Sequence, residues 1–214
     1  MGQGTSLLAL AVVKKALHEC KFEGCNVEVP YDEIKEHEDK CKWRLVRCPG
    51  SKCKAMIAFC TMIDHVGVCA GFVNKHPEEL CHNAFRISIG LKEAMAEGPE
   101  GRGVNVYWQT KVHQLDGKLF FSMFAKIAGK YICDVVMGGT KEDCKNYIVK
   151  ASVRDKDTGN SVYQSSFPPR PLSGQKEEAK FCLSVEQEAI SEVRKYNKLH
   201  NCYSLAYKVQ IKKL

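Results

Sequence analysis

Hydrophobic residues after residue 82 fall in short runs that turn signals separate. Asp116-Gly117 is a strong hairpin dipeptide, and residues 157–160 (DTGN) form a second turn signal. Pro168-Pro169-Arg170-Pro171 excludes a central strand at that point, and a short helix fits residues 186–195. Short strands at such intervals predict an all-β antiparallel sandwich over residues 83–214. The predicted strands are residues 104–112, 119–127, 145–154, 161–167, 181–185 and 202–212.

The pattern before residue 82 begins with a predicted helix and then repeats. Residues 7–18 are predicted to form a helix, within a linker over residues 1–19 that leads into the first cysteine pair. Residues 20–41 and residues 48–69 then carry the same skeleton, offset by 28 positions. Apolar residues agree in register too, as a minimal strand–strand–helix core requires: Val29 with Ile57, Tyr31 with Phe59, and Ile34 with Met62.

Both copies of the skeleton read C-x4-C-x11-H-x3-C. Structural zinc sites take four nitrogen or sulfur ligands in a tetrahedron, commonly two from a turn between strands and two from a helix. Residues four apart share one helix face, so the spacing supplies both pairs. Pro30 and the acidic residues after it favour a helix through His37. Two zinc ions are therefore expected, and the predicted ligands are Cys20, Cys25, His37 and Cys41 in the first finger and Cys48, Cys53, His65 and Cys69 in the second.

Disulfides are the main alternative use for twelve cysteines. They would leave His37 and His65 at identical offsets unexplained. The apolar run at residues 7–13 also lacks the basic region and the cleavage site of a signal peptide, so a cytoplasmic or nuclear location is expected. A unit of about 25 residues buries little surface, so each metal ion is expected to supply most of the folding free energy of its finger.

Charge argues against a nucleic-acid interface. The formal net charge of +7 lies entirely after residue 82, where basic residues are spread without a block. The first finger helix presents acids that phosphate would repel, and the second presents no basic residue. No apolar run reaches the roughly 18 residues that a membrane span requires. The helix positions concerned are Asp32, Glu33, Glu36, Glu38 and Asp39 in the first finger, and Thr61, Met62, Ile63, Asp64 and Val66 in the second.

Residues 14–76 resemble the SIAH-type double zinc finger of the seven-in-absentia ubiquitin ligases, and residues 20–76 are the predicted finger pair. The likeness is carried by CKFEGCNVEVPYDEIKEHEDKCKWRLVRCPGSKCKA, including VRCP between the fingers, with His65 downstream. Members of that family usually close the second finger with histidine, so His76 is an alternative eighth ligand. Cys69 is expected because it repeats the x3 gap of the first finger.

Residues 104–214 are similar to the TRAF-like substrate-binding domain of the same family. DGKLFF, KNYIVKASVRDKDTGN, FCLSV and NCYSLAYKVQIKK occur in the family's order. The resemblance implies a dimer that binds short extended peptides of target proteins at a sheet edge, by strand addition. Residues 91–102 (LKEAMAEGPEGR) do not align with the family's peptide-contacting segment, so no peptide site is assigned.

The resemblance implies the substrate-recognition or adaptor part of a RING-type E3 ubiquitin ligase, acting in ubiquitination and proteasomal degradation. Relatives carry a RING domain before the fingers, and the zinc ligands of that RING begin with C-x2-C. These 214 residues contain no C-x2-C, and only 19 residues precede Cys20. The chain is therefore expected to be a truncated ligase or a relative without a RING, and not to be catalytic alone. It would work by proximity, together with a RING-bearing partner and, through that partner, a ubiquitin-conjugating enzyme. A competitor that sequesters targets and a nucleic-acid-binding zinc-finger protein are the alternatives.

Three features lie outside these motifs. Residues 1–6 match the N-myristoylation pattern at Gly2. Trp108 is predicted to pack in the core, with an exposed anchor as the alternative. No His and acid are positioned to activate a cysteine nucleophile. Cysteines without ligand spacing are predicted to be small buried hydrophobes, namely Cys60, Cys81, Cys133, Cys144, Cys182 and Cys202.

Overall fold

The computed structural model describes residues 16–73, 78–79, 84–90, 105–155, 158–173, 183–186, 189–190, 195–197 and 202–214. These residues are mostly β, with few helices. The strands are β1 (Leu17–Glu19), β2 (Glu28–Pro30), β3 (Leu45–Arg47), β4 (Met56–Ala58), β5 (Glu78–Glu79), β6 (Ala84–Gly90), β7 (Val106–Tyr107), β8 (Lys111–Leu115), β9 (Lys118–Ile127), β10 (Lys130–Met137), β11 (Tyr147–Arg154), β12 (Ser161–Phe167), β13 (Arg170–Pro171), β14 (Leu183–Glu186), β15 (Lys195–Asn197) and β16 (Cys202–Lys213). The helices are α1 (Ile34–Lys40), α2 (Met62–Val68) and α3 (Lys141–Lys145), with a 3₁₀ turn at Phe59–Thr61.

The repeated skeleton folds twice into the same small unit. In the first finger β1 pairs with β2 in an antiparallel hairpin and α1 follows. In the second finger β3 pairs with β4, and the 3₁₀ turn and α2 follow. The two hairpins have equivalent registers, since Leu17 pairs with Pro30 and Leu45 pairs with Ala58, 28 residues later in both strands. Both fingers therefore have the strand–strand–helix order that the spacing predicts.

The remaining strands form two larger sheets. The seven-stranded sheet has the order β13-β10-β9-β8-β5, with β14 along β10 and β7 along β9. The five-stranded sheet has the order β12-β11-β16-β15, with β6 along β16. Among the described strands every pairing is antiparallel except two short ones, β10 with β13 and β5 with β8. Antiparallel pairing thus dominates, as the strand pattern predicts.

Each face of β9 packs into a different hydrophobic core. Phe120 and Phe124 belong to a cluster that joins both large sheets, with Tyr207 from β16 among its other members. Phe121 and Leu119 point to the opposite face. They belong to a second cluster that joins the seven-stranded sheet to the second finger. The second finger consequently shares a hydrophobic core with the sheet.

Hairpin turns follow the sequence signals at two places. Asp116 and Gly117 both have positive φ (49° and 71°), as a two-residue turn between β8 and β9 requires. The turn between β11 and β12 has Gly159 at φ 68°, and the Asp155 N–H donates to Asn160 O at 2.9 Å. Residues 156–157 of that turn lie outside the described residues. The predicted strands at residues 119–127, 161–167 and 202–212 correspond to β9, β12 and β16. The strand predicted at residues 145–154 corresponds to β11 only from Tyr147, because Lys145 ends α3.

Several sequence predictions need correction. The predicted helix over residues 7–18 does not hold at Leu17 and His18, which pair in β1; residues 1–15 lie outside the described residues. Residues 104–112 contain parts of two strands, β7 and β8, instead of one. The helix fitted to residues 186–195 does not hold at its ends, because Glu186 ends β14 and Lys195 begins β15. Of its middle, residues 189–190 are helical and the rest lie outside the described residues.

Cysteine burial follows the prediction only in part. Cys133 and Cys144 are buried as predicted, whereas Cys60 is exposed because the 3₁₀ turn directs it to solvent. Cys81 and Cys182, and the side chain of Cys202, lie outside the described residues. Trp108 packs against the inter-sheet core and stacks on Tyr131, with ring centroids 6.3 Å apart, as the core prediction has it.

Candidate metal centres

The first finger brings its four predicted ligand side chains together. Cys20 directly follows β1, Cys25 lies in the turn before β2, His37 lies on α1, and Cys41 is the C-cap of α1. One ligand atom from each lies within 4.8 Å of the others. The Cys20 and Cys41 Sγ atoms are 3.9 Å apart, and Cys25 Sγ lies 3.4 Å from His37 Nε2.

The second finger repeats this arrangement. Cys48 directly follows β3, Cys53 precedes β4, His65 lies on α2, and Cys69 is the C-cap of α2. Their ligand atoms also lie within 4.8 Å of one another. His65 Nε2 lies 3.1 Å from Cys48 Sγ and 3.6 Å from Cys53 Sγ. Cys69 thus belongs to the second cluster, while His76 lies outside the described residues.

The distances fit a tetrahedral metal ion. Zinc–sulfur bonds of about 2.3 Å and zinc–nitrogen bonds of about 2.0 Å give tetrahedron edges of about 3.8 Å between sulfurs and about 3.5 Å between sulfur and nitrogen. The observed separations of 3.9 Å and 3.1 to 3.6 Å lie close to these edges. Each Cys3His cluster could therefore hold one metal ion.

Backbone N–H groups two residues further along the chain point at the sulfurs. The Gly50 N–H donates to Cys48 Sγ at 3.3 Å, and the Gly71 N–H donates to Cys69 Sγ at 3.4 Å. Hydrogen bonds to a thiolate favour its charged form. The same relation recurs between the Val27 N–H and Cys25, the Trp43 N–H and Cys41, and the Ala55 N–H and Cys53.

Within each cluster the thiols differ in pKa. The Val27 N–H lowers the pKa of Cys25 to about 7, assisted by the neighbouring thiols and His37. Burial raises the pKa of Cys41 to about 11, and burial also raises that of Cys48. Burial opposes ionisation of Cys53 too, but hydrogen bonds from the Ala55 N–H and the neighbouring thiols lower its pKa on balance. A bound cation would remove these differences in pKa, because a thiol that ligates a metal ion is deprotonated outright.

The second finger is joined to the seven-stranded sheet by hydrogen bonds and apolar contacts. The buried Thr110 donates its hydroxyl to Pro49 O at 2.7 Å and its N–H to Gly71 O at 2.8 Å, which joins the start of β8 to the ligand turns. On the other side of the finger the Arg47 N–H donates to Ser173 O at 3.1 Å. The apolar contacts beneath are Val46, Met62 and Val66 against Phe72, Val112 and Phe121.

The two fingers differ in how far their helices are buried. Helix α2 buries Met62 and Val66, whereas α1 buries no residue. Position 66 of the second finger corresponds to Glu38 of the first, 28 residues earlier, and Glu38 forms an ion pair with Lys21 at 2.5 Å. Neither Val66 nor Thr110 belongs to a motif that predicts this contact. At corresponding positions the first finger has Glu38 and the second has Val66, and this change from a charged to an apolar residue indicates a buried face on α2.

Comparison with known proteins adds no relative. The chain matches no known family model and no curated protein sequence. The resemblance to the seven-in-absentia family therefore stands on the quoted motifs. Helices long and apolar enough to cross a membrane are absent from the described part of the chain.

Proposed function

We propose that each Cys3His cluster binds one Zn²⁺ ion in a structural role. Four protein ligands close a tetrahedral site, whereas catalytic zinc sites keep one position open for water or substrate. Cysteine and imidazole ligands suit zinc, and the chain offers no carboxylate within either cluster. The ligands would be the eight predicted residues: Cys20, Cys25, His37, Cys41, Cys48, Cys53, His65 and Cys69.

The chain would act as a target-recognition module of a RING-type E3 ubiquitin ligase of the seven-in-absentia kind. The paired Cys3His clusters at one 28-residue offset, followed by two antiparallel sheets, carry this proposal. Both sheets contribute to one core, which is compatible with the two layers of a TRAF-like sandwich. The finger and substrate-binding regions would span residues 20–76 and 83–214.

The role would be positioning. A ligase of this kind holds a target lysine near a charged ubiquitin-conjugating enzyme, which raises the effective concentration of the reacting groups. The 214 residues contain no C-x2-C pair of the kind that begins a RING, so the proposed role of this part of the protein is to hold the target. A second copy, or a RING-bearing relative, would join it in a dimer. Without access to a RING, the same binding would sequester targets instead.

Strand β12 is the edge that best fits an added peptide strand. Among the described strands it pairs only with β11, through Val149–Arg154. Its seven residues include no charge and no proline, the devices that usually block edge pairing. Backbone hydrogen bonds would give affinity there and side-chain pockets would give selectivity.

Reconstituted ubiquitination tests the proposal. The zinc-loaded chain alone, with ubiquitin-activating and ubiquitin-conjugating enzymes, should not modify itself. Addition of a RING-bearing seven-in-absentia ligase should produce heterodimers and ubiquitination of proteins captured by the chain. The absence of heterodimers and of any effect on ubiquitination contradicts the adaptor role. Retention on DNA or RNA that falls steeply with salt would favour the nucleic-acid-binding alternative.

A further inference from the structure

A cleft with a volume of about 610 Å³ lies between the first finger and the loop that follows β10. Phe59, Gly138 and Gly139 form part of its wall. The charged groups that line it come from α1, from the segment between the fingers, from β9 and from α3. They are four cations and two carboxylates: Lys40, Arg44, Lys118, Lys145, Glu142 and Asp143.

Both carboxylates are already engaged within the wall of the cleft. Asp143 Oδ2 accepts hydrogen bonds from the Thr140 N–H at 2.8 Å and the Thr140 hydroxyl at 3.0 Å, and its Oδ1 accepts one from Lys118 at 3.3 Å. Glu142 accepts two hydrogen bonds from Lys145 at 2.8 Å. Among the side chains that line the cleft, the four cations therefore exceed the two carboxylates by two positive charges, and one of these four, Lys40, pairs with Glu36 outside the lining.

Arg44 is the cation held most firmly in place. Its Nη1 donates to Cys41 O at 3.0 Å, and its guanidinium carbon lies 4.2 Å from the centre of the Phe59 ring. Phe59 is in turn confined by Gly138, since a Cβ on that glycine would lie 2.7 Å from the ring. Among the described residues Arg44 forms no salt bridge. A fixed guanidinium with donors to spare suits bidentate binding of an oxyanion.

Lys40 can join Arg44 at little cost. Its ammonium pairs with Glu36 at 2.6 Å on the exposed face of α1, where both side chains are more than half exposed. Exposed pairs of this kind contribute little to stability, so Lys40 can exchange Glu36 for a bound anion.

We propose that this cleft binds a phosphorylated serine or threonine of a partner protein. A phosphomonoester carries a charge of about −1.5 to −2 at neutral pH, which balances the surplus of the cleft. The cleft falls within the range of about 300 to 1,000 Å³ typical of ligand pockets. That volume leaves room for the residues next to the phosphate, which favours a peptide over a free ion. The site lies apart from β12 and extends target recognition beyond an extended peptide.

Fluorescence anisotropy with the zinc-loaded full chain tests this assignment. The probe is a labelled phosphoserine peptide mixture with randomised flanking positions, compared with the same mixture without phosphate. The phosphorylated mixture should bind about tenfold more tightly or better, and free phosphoserine should compete only weakly. Arg44→Gln and Lys40→Gln should each reduce the affinity severalfold, with Arg44→Lys between Arg44→Gln and the wild type. Lys42→Gln, an equal charge change outside the cleft, should leave it unchanged.

Thermal melts followed by tryptophan fluorescence establish that the variants are folded. Equal binding of the two mixtures, or unchanged affinity in folded Arg44→Gln and Lys40→Gln, overturns the proposal. Competition by free phosphoserine as strong as that of the peptides would assign the cleft to a small phosphorylated molecule and overturn the protein ligand. Since no ubiquitin component is present, failure here leaves the proposed ligase role untouched.

Discussion

Loss of the second metal centre should unfold the β sheets, whereas loss of the first should not. His37→Ala and His65→Ala form a matched pair, because each removes the imidazole of a Cys3His cluster at the same offset and from a half-buried position. The two variants differ in what their fingers cover. The second finger closes the core of the seven-stranded sheet, while helix α1 of the first buries no residue.

The size of the difference follows from three side chains. Val46, Met62 and Val66 are fully buried against the sheet. Burial of an aliphatic side chain contributes about 1.5–3 kcal/mol, so the three together contribute about 5–9 kcal/mol as an upper estimate. Domains of this size unfold with a free energy of about 5–15 kcal/mol. His65→Ala should therefore remove most of the stability of the sheets, and His37→Ala should cost them less than about 1 kcal/mol.

The two tryptophans report on the two parts separately. Trp43 packs against Gly24 in the ligand turn of the first finger, and Trp108 stacks on Tyr131 in the sheet. Urea melts of Trp43→Phe, monitored through Trp108, should show a lost or strongly shifted transition with His65→Ala. With His37→Ala the midpoint should be nearly unchanged. In Trp108→Phe, the signal of Trp43 should change with His37→Ala.

Equal shifts of the Trp108 transition in both histidine variants would show that the second finger has no special part in the stability of the sheet. An unchanged transition in His65→Ala would show the same. Val66→Ala provides an independent check that keeps every proposed metal ligand. It should cost about 1–3 kcal/mol in the Trp108 transition, as expected of a fully buried side chain.

Further predictions concern the ligand turns and acidity. Gly24 has φ 86°, and Lys52 has φ 64° at the same place in the second finger. Because a positive φ is costly for a residue with a Cβ, Lys52→Gly should stabilise the protein by about 0.5–1 kcal/mol. Gly24→Ala should destabilise the first finger by about 1–3 kcal/mol, because its Cβ would lie 2.9 Å from Trp43. Gly71→Ala should destabilise the second finger similarly, because its Cβ would lie 2.7 Å from Gly50 C. Acid should release the metal ions, because protons compete with the metal for the six thiolates and metal binding weakens as the pH falls. A zinc-sensitive dye measures this release.

Urea melts with the tryptophan reporters measure the three substitutions. Gly67→Ala is the control for Gly71→Ala, because nothing beyond its chain neighbours and its own helix backbone lies within 4 Å of the added Cβ. Alanine also favours a helix, so this change should stabilise by up to about 1 kcal/mol. A neutral Gly71→Ala, or a destabilising Lys52→Gly, would show that the ligand turns are more adaptable than these contacts imply. Retention of both metal ions at acidic pH would speak against thiolate ligation.

Local spacing predicted the finger units well. Their ligand positions lie within 22 residues, so the strand–turn–strand–helix order follows from short-range geometry alone. The hairpin at Asp116-Gly117 was predictable for the same reason, because aspartate and glycine tolerate the positive φ that the turn requires. Whether the eight side chains bind zinc stays a prediction.

Long-range packing was less accessible. Strand β10 was missed because seven of its eight residues are buried, which removes the alternation that marks a strand with one exposed face. Its turn, Ala128-Gly129, adopts positive φ at an alanine, which a sequence motif does not announce. Val66 was noted only as a residue that phosphate would not bind. Its contact with the sheet depends on residues far along the chain, such as Phe121.

Native mass spectrometry of the chain, purified under reducing conditions without chelator or added metal, tests the central claim most directly. Two zinc ions per chain are predicted, with the mass showing six deprotonated thiols. Both His37→Ala and His65→Ala should retain fewer than two ions. A wild-type chain that carries no zinc, or that carries disulfides among Cys20, Cys25, Cys41, Cys48, Cys53 and Cys69, would contradict the account.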